Sequence, residues 1–374
     1  MTTDRRAFLR RTAAASVAAA LPAVPFSSVL AQTAPSRSEF KPVPGDWRTF
    51  DVTTRVDLRM PSGATQVWLP LPSVESDWQR SLTNGFRSNG LARLAEDGRY
   101  GVKMLHVQFD AGVSQPFVEL TSRVSTRNRA TDWAQKSAVA EDAATLRFWT
   151  QPTRLLPTDG IVGETAREAT KGARTDVQKA QAIYDWVVAN TYREPKVRGC
   201  GEGDIKTMLE TGNLGGKCAD LNAIFVGLCR AAGLPARDVY GIRLAPSAFG
   251  YKELSGNPSS LKGAQHCRAE VHLAGHGWVA MDPADVAKVM RLETPEWIKT
   301  TRHPVVAPVN QRLFGGWEGN WLAWNMGHDL TLPGATGPEL GFFMYPMAET
   351  GGERVDPYAP DDFKYQIAAS EIKA

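Results

Sequence analysis

A long apolar segment that begins at a cysteine constrains this chain most. After Gly215 and Gly216 the sequence runs Lys-Cys-Ala-Asp, and apolar residues then recur at positions 221, 224, 225 and 228, the spacing of one buried face of a helix. Gly233 and Pro235 supply the signal that ends it. The pattern therefore predicts an interior helix that begins at Cys218.

The position of Cys218 in this helix favours chemistry over packing. N–H groups in the first turn have no partner inside the helix and, together with the helix dipole, they favour a negative charge. A thiol placed there has a lowered pKa and can react as a thiolate at neutral pH. A free cysteine is more often a small core residue, so the interpretation depends on whether a base exists elsewhere in the chain.

Two short runs farther along supply a base and an acid. Residues 266–273 and 278–283 flank a glycine-rich break and predict a β-hairpin, with His266 at its start and Asp282 at its end. A cysteine nucleophile needs a base, and the base needs a third group that fixes its tautomer. With a simple four-residue loop Asp282 would lie opposite Ala269, on the other face from His266. A triad therefore requires a loop one residue longer or shorter, or a bulge.

Four ordered motifs resemble the transglutaminase-like superfamily of papain-type cysteine enzymes, particularly its exported bacterial members. They are a helix at 178–190 with Tyr192 just past it, G-x-C-A-D-x-x-A-x-F at 216–225, G-L-P-A-R-x-V-x-G at 233–241, and H-x-x-x-E-V-x-L followed by G-W-V-x-x-D-P. Ordered motifs that together extend from about residue 155 to residue 285 are much more specific than a lone cysteine.

The resemblance implies roles for four residues. It makes Cys218 the nucleophile, His266 the base, Asp282 the acid that orients the base, and Tyr192 an aromatic residue near the oxyanion. Members of the family often carry an aromatic residue two positions after the histidine, where this chain has Arg268. That departure concerns the shape of the cleft and the substrate preference, not the triad.

The predicted reaction is acyl transfer through a thioester, with no cofactor. Water as acceptor makes the protein a peptidase or amidase, and an amine makes it a cross-linking transglutaminase. The resemblance to bacterial members ranks hydrolysis first. A non-catalytic binding module on the same fold is the alternative from another class, and the complete set of three residues argues against it. A peptide, a protein or a peptidoglycan cross-bridge would each suit as substrate.

The first residues resemble an export signal. A twin-arginine pair at Arg5 and Arg6 precedes an alanine-rich apolar stretch, with plausible cleavage after Ala31 or Ala34. We expect a periplasmic protein with no stable membrane span once the signal is removed. Without residues 1–31, which carry four arginines and one aspartate, the 43 basic and 40 acidic residues become 39 of each. This charge balance gives no indication of a nucleic-acid partner.

Composition and periodicity predict an α+β protein: an N-terminal antiparallel β-sandwich followed by a papain- or transglutaminase-like core with C-terminal strands. The core is expected to open with helices, one of them with a capping box at Thr175 and Gln178. The tail is rich in aromatic residues that predict packing more than a substrate groove. The expected boundaries are a signal peptide at 1–31, a linker at 32–45, a β domain at 46–150, a catalytic core at 151–300 and a β extension of the core at 301–374.

The other cysteines and histidines predict no metal site. The four cysteines match no zinc spacing, and Cys229, three turns after Cys218, is expected in the core. A disulfide between Cys200 and Cys267 remains open. His272 and His276 are four residues apart, a spacing that brings side chains together on a helix but not across a hairpin turn.

Overall fold

The computed structural model describes residues 37–59, 63–136, 140–361 and 363–373. From Arg37 onward these residues form one compact unit. The expected signal peptide and the first part of the expected linker, through residue 36, lie outside the described residues. No helix in the described ranges is both long and apolar enough to cross a membrane.

The elements follow the chain in three groups. The N-terminal group consists of strands, namely β1 (Arg48–Leu58), β2 (Thr65–Pro70), β3 (Gln79–Ser88), β4 (Leu91–Glu96), β5 (Lys103–Phe109), β6 (Phe117–Thr126) and β7 (Arg129–Ala130). The middle group is mixed, with α1 (Ala143–Phe148), α2 (Gly160–Ala169), α3 (Asp176–Asn190), β8 (Tyr192–Arg193), α4 (Ile205–Thr211), β9 (Gly215–Gly216), α5 (Cys218–Ala231), β10 (Ala236–Arg243), β11 (Gln265–Leu273), β12 (Gly277–Met281) and α6 (Pro283–Leu292). The C-terminal group comprises α7 (Ala307–Arg312), β13 (Gly316–Trp317), β14 (Trp321–Asn325), β15 (Met347–Thr350), β16 (Glu353–Val355) and β17 (Phe363–Ile372).

Two antiparallel sheets form the sandwich, with strand orders β17-β1-β6-β3 and β16-β15-β2-β5-β4. Burial alternates along β1, so that Phe50, Val52 and Val56 point inward, as a strand with one buried face requires. These residues share a hydrophobic cluster with the second sheet, and the same cluster reaches Cys218 and Cys267. One continuous hydrophobic cluster therefore joins the sandwich to the start of the predicted catalytic helix.

A third sheet carries the predicted base His266 and is called the catalytic sheet. It has the order β12-β11-β10-β14 and is antiparallel throughout. The helix α5 packs on it and is surrounded by α2, α3 and α6. Every residue of α5 from Cys218 to Arg230 is buried. The predicted α+β fold is confirmed, and α5 is enclosed on all sides and not only along one stripe.

Local capping signals mark the ends of α3 and α4. The predicted capping box is present before α3, where the Gln178 N–H donates to Thr175 Oγ1 at 3.2 Å. The helix α4 is capped by Asp204 and ends at Gly212, whose φ of 68° is in the left-handed region that favours glycine. These ends were predictable because capping depends on residues that are neighbours in sequence.

The C-terminal segment departs from the expectation that it extends the catalytic sheet. Only β14 does so, by pairing with β10. The strands β15 and β17 instead join the two sheets of the sandwich, next to β2 and β1, and β13 pairs with β7. The tail aromatics Trp317, Trp321 and Trp324 are at most 2% exposed. They therefore form core and not an open groove.

The described part of the expected linker is docked. Phe40 is buried, and its ring packs edge-on against Phe249 and Tyr251. The Ser38 N–H donates to the Phe249 carbonyl oxygen at 3.1 Å. Ser38 and Phe40 therefore anchor this segment on the loop between β10 and β11.

Candidate active site

The loop before α5 brings Cys218 to the first position of the helix. Gly215 and Gly216 form the short parallel strand β9 beside β8, and Lys217 is the N-cap. Asp220 Oδ2 accepts a hydrogen bond from the Lys217 N–H at 2.9 Å, and its other oxygen accepts from the Gly203 N–H at the same distance. Asp220 thus fixes the entry to the helix. Within the described residues the Cys218 N–H has no acceptor, so it is available to an anion.

The hairpin adopts the register that a triad needs. Leu273 pairs with Gly277 across a three-residue turn, one residue shorter than the simple loop. Gly275 and Gly277 have φ values of 81° and 71°, which a tight turn of this kind demands and glycine supplies without strain. Ala269 pairs with Met281, so the next residue, Asp282, comes level with position 268. His266 lies two residues away and on the same face as Asp282.

His266 and Asp282 form a buried hydrogen bond. His266 Nε2 lies 2.7 Å from Asp282 Oδ2, and the two residues are 4% and 0% exposed. A carboxylate can only accept, so Nε2 carries the proton and Nδ1 is the nitrogen available to Cys218. Asp282 is also the N-cap of α6, because its Oδ1 accepts from the Asp285 N–H at 3.1 Å. Helix capping and histidine orientation use different oxygens of the same carboxylate.

The thiol of Cys218 lies among three partners. Hydrogen bonds from Cys200 and Cys267, followed by one from His266, lower the pKa of Cys218 well below its usual value even though burial opposes this. Burial disfavours protonation of His266, but Asp285 and Asp282 outweigh it and raise the pKa of His266 to about 9. At neutral pH the proton therefore resides on His266 and Cys218 is a thiolate.

The remaining cysteines keep their protons. The hydrogen bond to Cys218, followed by burial, raises the pKa of Cys200 well above its usual value. Burial is the main cause that raises the pKa of Cys267 and of Cys229 in the same way. All four thiols are free and buried, so the Cys200–Cys267 disulfide left open by the sequence is not formed in this structure.

These differences predict selective labelling. At pH 7 we expect iodoacetamide to alkylate Cys218 at least roughly tenfold faster than each of the other cysteines, since one unit of pKa changes the thiolate fraction about tenfold. Peptide mass spectrometry after brief exposure measures the four rates. Cys229 is the internal control because it lies on the same helix. Equal labelling of Cys218 and Cys229 would remove the basis for a nucleophile at Cys218.

Arg268 occupies the position where an aromatic residue is common in the family. Its Nε lies 3.4 Å from Asp282 Oδ2, and its guanidinium lies 4.6 Å from the ring centre of Trp321 and 5.1 Å from that of Trp317. Burial lowers the pKa of Arg268 to about 10, against the pull of Asp282. At this point Trp317 and Trp321 of the C-terminal segment supply the aromatic surface, and Arg268 supplies a positive charge next to the carboxylate of Asp282.

Tyr192 lies beside the strand that leads into Cys218. It pairs with Gly215 in the parallel β8–β9 ladder, and a Cβ at Gly215 would fall 2.5 Å from the tyrosine ring. The ring lies 5.6 Å from that of Trp297 and lines a surface pocket of about 430 Å³. The lining of this pocket does not include Cys218, His266 or Asp282. The structure thus brings Tyr192 next to the Gly215–Gly216 strand that leads into Cys218.

The site holds functional groups that the sequence reasoning missed. Asn222 Nδ2 donates to the Cys267 carbonyl oxygen at 2.8 Å and approaches Asp282 Oδ1 at 3.4 Å, so it ties α5 to the hairpin and to the acid. Its position four residues after Cys218 was an available signal, since that spacing shares a helix face. Asp285 lies 3.4 Å from His266 Nε2 and is held by Arg243.

The three groups His266, Asp282 and Asp285 place potential ligand atoms within 4.8 Å of one another. Both oxygens of Asp285 accept from Arg243 Nη2, at 2.5 and 2.6 Å, and His266 Nε2 is bonded to Asp282. The guanidinium of Arg243 already neutralises the carboxylate of Asp285, whose charge a metal ion would otherwise neutralise. The donor set therefore suits a proton-carrying histidine better than a metal ion. The sequence expectation against a metal at His272 and His276 remains a prediction, and their rings contact Trp278 and Trp133.

Comparisons with known proteins identify relatives of this chain. The family model described as "Transglutaminase-like superfamily" matches residues 163–283, a range that contains all three triad positions. An uncharacterized protein of Haemophilus influenzae is 33% identical over 347 residues, which cover 87% of this chain and 92% of that protein.

Solved structures are similar at lower identity. A crystal structure from Cytophaga hutchinsonii, named provisionally as a cysteine protease, superposes with a TM-score of 0.56 at 13% identity over 89% of this chain and 93% of that chain. The periplasmic domain of TgpA from Pseudomonas aeruginosa has a TM-score of 0.35 at 19% identity, over 65% of this chain and 73% of that chain. The fold is shared with the first of these. With its motifs and fold in agreement, the chain belongs to the transglutaminase-like superfamily.

Proposed function

We propose that the protein is a cysteine-dependent acyl-transfer enzyme that cleaves amide bonds through a thioester, with water as its usual acceptor. The observation that carries the proposal is the arrangement of Cys218 at a helix N-terminus in contact with His266, which is bonded in turn to Asp282 at 2.7 Å. In this assignment Cys218 is the nucleophile, His266 is the acid and base, and Asp282 positions His266.

The first half of the reaction begins from the ion pair. The Cys218 thiolate attacks the amide carbonyl carbon, and the carbon–oxygen double bond opens to an oxyanion. We assign the Cys218 N–H, which has no acceptor within the described residues, as a donor to this oxyanion. The imidazolium of His266 then gives its proton to the leaving amine as the carbon–nitrogen bond breaks, which leaves a thioester on Cys218 and a neutral imidazole.

Water resolves the thioester in the second half. Neutral His266 takes a proton from water, and the resulting hydroxide attacks the thioester carbonyl. The carbon–sulfur bond breaks, the acid product leaves, and the thiolate–imidazolium pair is restored. We assign Tyr192 to the wall beside the oxyanion, because it packs on the Gly215–Gly216 strand that leads into Cys218.

Transglutaminase activity is the second candidate, and burial is the observation that favours it. Cys218 is 3% exposed and His266 is 4% exposed, so bulk water has restricted access to the thioester. A cross-linking enzyme needs such exclusion, since water otherwise competes with the amine. The same thioester serves both reactions, so only the acceptor distinguishes them.

The partition of the thioester tests the ranking. A substrate chosen from a peptide library should be cleaved or deamidated without added amine, and in ¹⁸O-labelled water the new carboxyl group should carry the label. Addition of a lysine analogue should divert only a minor share of product, as mass spectrometry would measure. Predominant amine incorporation at low amine concentration would favour transglutaminase over hydrolase.

The twin-arginine pair supports a periplasmic site of action, where a peptide, a protein or a peptidoglycan cross-bridge would be available as substrate. Replacing Arg5 and Arg6 by lysine should leave unprocessed protein in the cytoplasm. Cell fractionation and the mass of the N-terminal peptide would measure this. A control with Arg10 and Arg11 replaced instead should be exported normally. Normal export of the Arg5/Arg6 variant would contradict the twin-arginine route.

A further inference from the structure

His266 faces a second carboxylate that the triad does not use. Asp285 Oδ2 lies 3.4 Å from His266 Nε2, while Asp282 Oδ2 lies 2.7 Å from the same nitrogen. The two aspartates are three residues apart at the start of α6, so both carboxylates converge on one edge of the imidazole. Both are buried, at 0% and 1% exposure.

Arg243 fixes this second carboxylate. Its Nη2 donates to the two oxygens of Asp285 at 2.5 and 2.6 Å, and its Nη1 donates to the Leu254 carbonyl oxygen at 3.1 Å. Burial alone would raise the pKa of Asp285, but Arg243 and then His266 hold it well below its usual value. Asp285 is therefore ionised throughout the pH range in which a cysteine enzyme works.

We propose that Asp285, held by Arg243, is a second positioning residue for His266 that stabilises the imidazolium form together with Asp282. This rests on the proposed function and deepens it. With both carboxylates at one edge of the ring, the Nε2–H has two acceptors and the ring is fixed with Nδ1 toward Cys218. Each carboxylate is backed by an arginine, Asp282 by Arg268 and Asp285 by Arg243.

The surrounding charges support this arrangement. The charged groups facing His266 are the Cys218 thiol from α5, the two aspartates from α6, Arg243 from β10 and, behind Asp282, Arg268 from β11. Two arginines balance two carboxylates, so the proton on His266 is balanced by the thiolate. Lys288 is farther along α6 and is bonded to the Glu253 carbonyl oxygen at 2.6 Å. Loss of Asp285 would leave an excess of positive charge around the ring.

The test reads the protonation of His266 without any substrate. Iodoacetate is an anion, so it alkylates Cys218 fastest while His266 is an imidazolium. In the wild type we expect this rate to fall as the pH rises through about 9, the pKa of His266, whereas the rate with neutral iodoacetamide should not fall there. In Asp285→Asn the fall should move to lower pH by roughly one unit or more, because an opposite charge close to the ring is lost.

Two further variants make the test decisive. Asp285→Asn leaves Arg243 buried without its partner. The double variant Arg243→Met/Asp285→Leu therefore removes both members of the pair, and proteins often tolerate the replacement of a buried ion pair by apolar residues. It should also show a downward shift, smaller than that of Asp285→Asn, because Arg243, which lowers the pKa of His266, is removed together with Asp285. Glu270→Gln is the matched control, since Glu270 lies on β11 with His266 but forms its buried ion pairs with Arg237 of β10 and Arg129 of β7. It should leave the pH of the fall unchanged.

The outcomes separate the two proposals. If the folded variants at Asp285 keep the wild-type pH profile, or if neither folds, the Arg243–Asp285 pair serves only the fold and the inference is wrong. If the wild type itself shows neither fast alkylation of Cys218 nor a fall specific to iodoacetate, the Cys218–His266 ion pair is absent. The proposed function then fails, and the inference fails with it.

Discussion

Cys218→Ala should abolish amide hydrolysis and amine incorporation together, because both pass through the thioester on Cys218. We expect a loss on the order of 10⁴-fold or more in kcat, the scale seen when a covalent nucleophile is removed from a working triad. The measurement is turnover of a library-selected peptide, followed by mass spectrometry with and without a lysine analogue. The substitution removes one buried sulfur atom at a helix terminus, so the fold should survive.

Cys229→Ala is the matched control for this loss. Cys229 lies three turns farther along the same helix, is also buried, and packs in a different hydrophobic cluster from Cys218. Its replacement should lower stability by a modest cavity cost and leave kcat near the wild-type value. Retained turnover in Cys218→Ala would contradict a covalent mechanism. If Cys218→Ala binds the peptide and the wild type also shows no turnover, the binding-module alternative is favoured.

Asp282→Asn should slow both reactions by roughly 10²–10⁴-fold while the fold stays intact. The carboxylate accepts the Nε2–H of His266 at 2.7 Å, and an amide in its place can donate and so favour the other tautomer. In that tautomer the proton is on Nδ1, which can no longer take the proton of Cys218. The pKa of His266 should also fall, because one of the two carboxylates that raise it is lost.

Comparison with Asp282→Ala separates the two tasks of this carboxylate. Asparagine can still cap α6, as Asp282 does through the Asp285 N–H, whereas alanine cannot. We expect the two variants to be similarly slow, with Asp282→Ala less stable by about 1 kcal/mol in thermal or denaturant unfolding. An unchanged kcat in Asp282→Asn would show that His266 does not depend on Asp282.

Much of the candidate site could be predicted from the sequence because its signals are local. These signals are the double glycine before Cys218, the apolar stripe at positions 221, 224, 225 and 228, and the helix-ending glycine at 233. All of them act within or beside one helix. Capping at Thr175 and Asp204 has the same local character. The three residues proposed for the triad were identified from motifs, and the structure brings them together.

The register of the β11–β12 hairpin could not be predicted from the sequence. A shift of one residue turns every side chain to the other face of a strand, and the glycine-rich break at 274–277 permits several turn lengths. The folded structure selects the three-residue turn, with β11 buried on both of its faces. The same choice brings Asp282 to the side of His266.

The sequence by itself determined the helix that begins at Cys218, through spacing within one short segment. It also indicated the α+β class and, through ordered motifs, the three residues proposed for the triad. Only the tertiary structure decided that β15 and β17 return to the sandwich and that Arg243 meets Asp285, 42 residues away. Strand edges of one sheet present the same backbone groups as those of another, and a buried arginine can pair with any nearby carboxylate. Which partners meet is therefore set by how the whole chain buries its apolar surface, and that depends on residues distant in sequence.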